Sequence, residues 1–190
     1  MRKVIAAINM TLDGYCDHAV MIADDELHQH YNELIRNAGT IIYGRITYQL
    51  MESYWPTVVK NPTGNKPVDE FAILIDGISK IVFSHKLKND DPTLTGWKNV
   101  KLANINIREQ VLELRKEAGK DILVGSRSLI VTLLNLHLID EFQICVHPII
   151  NGEGLPLFKN INDRINLKLI KTKTFGNGLI VVLFYEPVKK

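Results

Sequence analysis

The chain has 190 residues, of which 46% are hydrophobic and 23% are charged. This composition is typical of an ordinary globular protein and argues against disorder, a collagen-like repeat and a coiled-coil rod. The net charge of +2 is too small for a protein that holds nucleic acid mainly by charge. Cys16 and Cys145 are expected to be free thiols, and no apolar run approaches the ~20 residues of a membrane span. We therefore expect one cytoplasmic domain, residues 1–190, with neither nucleic acid nor a membrane as partner.

The N-terminal half alternates short apolar runs with helical segments. The apolar runs predict buried strands at 4–8, 40–43 and 80–83. Helices are predicted between them at 24–39, 47–54 and 67–77. The first helix has Asp24 as its N-cap and Gly39 as its C-terminal glycine. Pro56 stops the second helix, and Pro67 stands in the first turn of the third.

The C-terminal half begins with a segment, 85–99, that is a loop by composition. A helix is predicted from Asn106, in a capping-box-like start, to Gly119. A strand at 122–124, a helix at 129–136, a strand at 142–147 and a loop at 151–154 follow, before a hairpin of strands 167–174 and 179–185. Strands that alternate with helices require a sheet covered on both faces. The expected fold is α/β: a three-layer αβα sandwich with a mixed, mostly parallel sheet and a C-terminal antiparallel hairpin.

Three turns that follow predicted strands carry groups suited to a phosphate. Ligands of open α/β sheets bind outside the carboxyl ends of the strands, so these turns are the first places to search. The three segments are Gly44-Arg45-Ile46-Thr47, Gly125-Ser126-Arg127-Ser128 and Ser84-His85-Lys86. Glycine permits close approach, and arginine and hydroxyl groups bind phosphate oxygens. None of the segments matches the dinucleotide fingerprint or the P-loop, and a simple turn or exposed loop is the competing interpretation of each.

Few other residues suggest chemistry. Asp13 follows the first strand at the expected ligand edge, where a turn-forming role with Gly14 competes with a catalytic one. His28 and His30 are two apart on a predicted helix, so they make a poor metal pair, and no metal is expected. His147 lacks an obvious partner, and no hydrolase motif is visible.

Several short motifs occur in order along nearly the whole chain. They are Val4-Ile5-Ala6-Ala7, Leu12-Asp13-Gly14, Tyr43-Gly44-Arg45-Ile46-Thr47-Tyr48, Val82-Phe83-Ser84, Ile122-Leu123-Val124-Gly125-Ser126, Leu138-Ile139-Asp140-Glu141, and His147-Pro148-Ile149-Ile150 followed by Gly152-Glu153-Gly154 and Leu157-Phe158. With these motifs the sequence resembles the dihydrofolate reductase-like superfamily. It is most similar to the C-terminal reductase domain of the bifunctional riboflavin-biosynthesis deaminase/reductase, without the deaminase motif.

The resemblance implies an enzyme that transfers hydride from NADPH to a carbonyl or imine of a small polar substrate, with 5-amino-6-(5-phosphoribosylamino)uracil as a candidate. The 44–47 and 125–129 turns would hold the cofactor phosphates, and the 84–86 turn would receive the 2′-phosphate and the adenine ribose. Ala7 and the Asp13-Gly14 segment would border the nicotinamide, with Asp13 orienting the substrate or relaying a proton. The implied cofactor-binding residues are Ala7, Gly14, Gly44, Arg45, Ile46, Thr47, Ser84, His85, Lys86, Gly125, Ser126, Arg127, Ser128 and Leu129.

Two alternative functions and the oligomeric state remain open. Dihydrofolate reduction is less favoured, because a gapless count back from Gly44 puts His28 where that enzyme has an acidic side chain, and Glu26 fits only after a register shift. A non-catalytic nucleotide-binding module is the other alternative. The resemblance also implies a homodimer. The apolar run 179–184 supports it, although burial of that run inside one subunit explains it nearly as well.

Overall fold

The computed structural model describes residues 1–17, 22, 24–87, 97–103, 105–176 and 178–188. Its strands are β1 (Val4–Thr11), β2 (Ala38–Gly44), β3 (Ser79–Phe83), β4 (Val100–Leu102), β5 (Asp121–Val124), β6 (Glu141–His147), β7 (Leu167–Phe175) and β8 (Ile180–Pro187). Its helices are α1 (Asp25–Arg36), α2 (Arg45–Lys60), α3 (Lys66–Gly77), α4 (Ile107–Lys116) and α5 (Arg127–Asn135). None of the described helices is both long and apolar enough to cross a membrane.

The strands form one sheet in the order β4-β3-β2-β5-β1-β6-β8-β7. Neighbouring strands from β4 to β6 are parallel, whereas β8 runs antiparallel to both β6 and β7. The predicted mixed sheet with a C-terminal antiparallel hairpin is therefore confirmed. Because Val146 near the end of β6 pairs with Val181 near the start of β8, the β7–β8 turn lies at the edge where the parallel strands end.

Side-chain alternation along the strands divides the core into layers. Val4, Ala6 and Ile8 of β1 pack on one face of the sheet with residues of α4 and α5. Ile5 and Ala7 pack on the other face, in a cluster that includes residues of α1, α2 and α3. A smaller third cluster joins α1 to β6 and β8. The three layers of the predicted sandwich follow directly from this two-residue period.

Helix α2 does not end before Pro56, so that prediction is wrong. A proline in a helix interior costs ~3 kcal/mol because it removes a hydrogen bond and crowds the preceding turn. Packing offsets this cost, since Val58 is buried and the ring of Trp55 lies 4.4 Å from that of Phe71 on α3. Tertiary contacts that the local sequence does not show therefore extend the helix by one turn.

Other elements also differ from the predictions. Gly39 lies inside β2, because α1 already ends at Arg36 with Asn37 as its C-cap. Helix α4 ends at Lys116, before Gly119. The sequence does not predict β4, whose three residues include a lysine and form no apolar run. Of the predicted loop 85–99, residues 88–96 lie outside the described part of the chain, as does residue 177 of the predicted hairpin turn.

Candidate functional site

A cleft of about 800 Å³ lies at the carboxyl ends of β2, β3 and β4, beside α5. Its volume is that of a ligand site. Parts of the three predicted turns meet in it: Gly44–Thr47, Ser84–Lys86 and the first turn of α5 at Ser128 and Leu129. The residues that sequence reasoning missed are Phe83, Ala103, Ile105, Asn106, Ile107 and Thr132. They carry no glycine or cation, so the only signal in the sequence was the helix start at residue 106.

The five described helices differ in how their N-termini are capped. Helices α1, α3 and α4 each have a capping side chain, from Asp24, Asn65 and Asn106, and an acidic residue in the first turn. Helices α2 and α5 have neither. Their first turns therefore keep free backbone N–H groups at the positive end of the helix dipole, and both turns line the cleft. This arrangement suits an anion such as a phosphate.

A buried hydrogen bond fixes the two uncapped helix starts relative to one another. The hydroxyl of Ser126 accepts from the backbone N–H of Gly44 at 2.9 Å instead of capping α5. A Cβ atom at Gly44 would lie 3.3 Å from Oγ of Ser128, so the close approach favours glycine. A Cβ at Gly125 would lie 3.4 Å from the carbonyl oxygen of Ala7, so β1 closely approaches the β5–α5 turn at this residue.

Three cationic or titratable side chains line the cleft and are free to meet an anion. Nη1 of Arg45 donates to Oε1 of Gln49 at 2.8 Å, which orients the guanidinium, while His85 and Lys86 are exposed. None of the three forms an ion pair with another described residue. The hydroxyl of Ser84 accepts from two backbone N–H groups that follow it, so its own proton remains available to donate.

Five of the predicted cofactor-binding residues are not among those that line the cleft: Ala7, Gly14, Gly125, Ser126 and Arg127. One of them, Arg127, has a hydrogen-bond partner elsewhere. Its Nε donates to the carbonyl oxygen of Pro156 at 2.5 Å. Its charge acts on Cys16, whose thiol pKa is nevertheless raised to about 11 by burial. Arg127 therefore ties α5 to the segment after the 151–154 loop.

Asp13 joins the end of β1 to the 151–154 loop. Its carboxylate accepts from Oγ1 of Thr11 at 2.6 Å and from the backbone N–H groups of Asn151 and Gly152 at 3.0 and 2.7 Å. These bonds, that of Thr11 first, hold the pKa of Asp13 below its usual value. The side chain is exposed, and Gly14 next to it has a φ of +90°. Asp13 is therefore an anion at neutral pH.

A polar network lies where β1 and β6 end, beneath α1. Nδ1 of His147 accepts from the backbone N–H of Ile22 at 3.2 Å, and Nε2 lies 3.3 Å from Oδ1 of Asn9 and 3.5 Å from Sγ of Cys145. The hydroxyl of Tyr31 donates to the same Asn9 oxygen at 2.9 Å. The expectation that His147 lacks a partner is wrong. Its partners come from a neighbouring strand and from the β1–α1 connection, and their proximity depends on pairing that the sequence does not reveal.

The strand order, the antiparallel C-terminal pair and the cleft at the carboxyl edge define a dihydrofolate reductase-like fold. The family model of the RibD C-terminal domain matches residues 2–181, and the chain belongs to this family. The resemblance found in the sequence is thus confirmed.

Several known proteins are similar to this chain in sequence or in structure. The chain is 34% identical over 192 residues to the uncharacterized protein YyaP of Bacillus subtilis (strain 168). This alignment covers 97% of the chain and 95% of YyaP. A putative riboflavin biosynthesis protein from Shewanella sp. PV-4 has a similar structure, with a TM-score of 0.74, 18% identity and coverage of 98% of this chain and 99% of that one. RibD of Acinetobacter baumannii has a TM-score of 0.67 and 17% identity, over 99% of this chain and 58% of that one.

Proposed function

We propose that this protein is an NADPH-dependent reductase that transfers hydride to a carbonyl or imine of a small polar substrate, with 5-amino-6-(5-phosphoribosylamino)uracil as the candidate. The observation that carries the proposal is the pair of uncapped helix starts that open into a cleft lined by Arg45, His85 and Lys86, none of which forms an ion pair with another described residue. Membership of the RibD C-terminal domain family supports the same reaction class. The free thiols Cys16 and Cys145 support a cytoplasmic location.

The cofactor end of the cleft fits a phosphorylated dinucleotide. The first turns of α2 and α5 would bind the pyrophosphate through backbone N–H groups. Arg45, His85 and Lys86 would bind the 2′-phosphate, to which Ser84 would donate its hydroxyl proton. Charge-assisted bonds of this kind are roughly twice as strong as neutral ones, so they would select NADPH over NADH.

The reacting end is formed by the carboxyl end of β1. When bound, the cofactor supplies the hydride, and the protein's share is to place the acceptor and exclude water. Ala7 and the Asp13-Gly14 segment would border the nicotinamide. The lowered pKa of Asp13 supports a role in orienting a substrate hydroxyl, because an anion accepts hydrogen bonds readily and is a weak proton donor at neutral pH.

The contacts of α1 give folate reduction no support. Oε2 of Glu26 accepts from the backbone N–H of Gly176 at 2.8 Å, so this carboxylate is already engaged. Nδ1 of His28 lies 2.9 Å from the carbonyl oxygen of Asp24. A non-catalytic nucleotide-binding module would keep the same cleft and is separated from an enzyme by measuring turnover.

The proposal is tested by titrating the protein with NADPH and NADH and by following oxidation of the cofactor with the candidate pyrimidine. We expect NADPH to bind more tightly, and Arg45→Ala to weaken NADPH binding by about tenfold or more while NADH binding changes little. Arg164→Ala, an exposed arginine away from the cleft, should change neither affinity. Equal losses for the two cofactors would remove the 2′-phosphate assignment of Arg45. Binding without turnover on any pyrimidine or pterin would favour the non-catalytic module.

A further inference from the structure

The backbone N–H of Ile22 determines which nitrogen of His147 carries a proton. It donates to Nδ1, so that nitrogen is an unprotonated acceptor. His147 is fully buried, and this burial lowers its pKa, which keeps the ring neutral. A neutral imidazole has one N–H group, and that group is therefore at Nε2.

The protonated Nε2 in turn determines how the amide of Asn9 is oriented. Two donors face the same side of Asn9, Nε2–H of His147 at 3.3 Å and the hydroxyl of Tyr31 at 2.9 Å. Burial raises the pKa of Tyr31 well above its usual value, so the hydroxyl keeps its proton. A flipped amide would point its NH₂ group at the N–H of His147 and leave that buried donor only the weak sulfur acceptor of Cys145, 3.5 Å away. The amide oxygen of Asn9 consequently faces the network, and Nδ2 is its remaining polar atom.

Nδ2 of Asn9 has no acceptor among the described residues. Asn9 is half-buried and follows Ala7 by two residues, so the two side chains are on the same face of β1 near its carboxyl end. Two hydrogen bonds to the amide oxygen fix the orientation of this half-buried NH₂ group. Such a group is suited to bind an acceptor on a ligand.

We propose that Asn9 donates through Nδ2 to a carbonyl oxygen of the bound ligand, with His147 and Tyr31 as the residues that position it. The proposal rests on the proposed function, because the ligands with such an oxygen at this edge are the nicotinamide carboxamide and the ring carbonyls of a pyrimidine. Both sources share one chemistry, an uncharged carbonyl acceptor. Asn9 thus becomes a binding residue, and the network becomes its support.

The test begins with Asn9→Asp, which keeps an oxygen for Tyr31 and His147 and replaces the NH₂ donor with a second acceptor. We expect about tenfold weaker binding of the ligand that presents the carbonyl. If that ligand is the cofactor, NADPH and NADH lose affinity equally without substrate. If it is 5-amino-6-(5-phosphoribosylamino)uracil, the cofactor Kd is unchanged and the KM of the pyrimidine rises. Cofactor Kd and pyrimidine KM both within about twofold of wild type would overturn the proposal. Failure of the wild-type protein to bind either cofactor would instead overturn the proposed function.

A pair of substitutions at His147 tests the positioning role. In His147→Gln the amide nitrogen reaches the place of Nε2 and can still donate to Asn9, whereas His147→Leu offers no donor. We expect His147→Leu to reproduce the loss seen in Asn9→Asp and His147→Gln to restore most of it. Equal losses in both would contradict the role. If His147→Leu does not fold, a long-range ¹H–¹⁵N spectrum of the wild-type ring decides the matter, since a proton on Nδ1 would overturn the proposal and a proton on Nε2 supports it.

Discussion

Asp13 and Asp69 make the same local contacts at two places in the molecule. Each carboxylate accepts from a threonine hydroxyl and from two backbone N–H groups of a nearby loop. The threonine hydroxyl is the first cause of a lowered pKa in both. Asp13 follows β1 at the carboxyl edge of the sheet, whereas Asp69 lies in the first turn of α3. Asp69 is therefore a matched control for the loop-holding role of Asp13.

Asp13→Asn should lower turnover by something on the order of 10²-fold, because a neutral amide holds a substrate hydroxyl less firmly than a carboxylate and a misplaced substrate reacts more slowly by about that factor. The amide nitrogen cannot accept from the loop N–H groups, so both Asp13→Asn and Asp69→Asn should lower the melting temperature slightly. Only the first should affect turnover, measured through the absorbance of the reduced nicotinamide. If the turnover of Asp13→Asn is within a few-fold of that of Asp69→Asn, Asp13 acts only as a turn residue.

At this scale the sequence predicts residues with strong local signals. Gly44 and Arg45 are found because glycine and arginine stand together where a strand meets a helix. Asn9 and His147 are not found, because they are 138 residues apart and meet only through the register of β1 on β6. A half-buried asparagine such as Asn9 has no distinctive neighbour in the sequence, so its partners become visible only in the fold.

Between elements, α1 is fastened to the β7–β8 hairpin by His30. Its ring lies 5.4 Å from that of Phe175 and 5.9 Å from that of Phe184. Burial first, and then the charges of Lys173 and Lys171, lower the pKa of His30 from 6.5 to about 4. Protonation would place a positive charge in the apolar interface between α1 and the hairpin, so this interface disfavours the protonated ring.

This contact predicts that the free energy of unfolding decreases as the pH is lowered. Between about pH 6.5 and pH 4 the unfolded chain binds a proton at His30 and the folded chain does not, so the free energy of unfolding should decrease by something on the order of 3 kcal/mol. His30→Phe keeps a packed ring without the proton, and its stability should depend less on pH over that window. Urea unfolding at several pH values measures both. Parallel pH profiles for wild type and variant would contradict the assignment to His30.

The elements that sequence predicts best are those whose ends are marked by local chemistry. Asp24 and Asn106 cap α1 and α4 as predicted, and Pro67 stands at the start of α3. The sequence does not predict the end of α2, because the contact between Trp55 and Phe71 stabilises a helical turn that contains a proline. Caps act within one turn of chain, whereas such contacts join helices that the sequence cannot place.

At the scale of the whole molecule, one face of the β7–β8 hairpin is open. Opposite α1, this face carries uncharged side chains that pair across the strands: Leu169 with Tyr185, Thr172 with Leu183 and Thr174 with Val181. Leu169 is 49% exposed, and Leu183 and Val181 are only partly buried. On the opposite face of the hairpin, Phe184 and Val182 of β8 pair with two lysines of β7, Lys171 and Lys173.

We propose that a second copy of the chain covers this open face. Burial inside one subunit explains half of the apolar run 179–184, since Ile180, Val182 and Phe184 are buried, and leaves Val181 and Leu183 to be covered. Lysines along β7 disfavour strand-to-strand pairing at the edge, so face-to-face packing is the expected mode.

Light scattering at low micromolar concentration should give twice the chain mass of 21.6 kDa. Leu183→Lys should give 21.6 kDa, whereas Lys168→Ala on the other face should remain dimeric. A wild-type mass of 21.6 kDa would reject the dimer and leave the face to solvent.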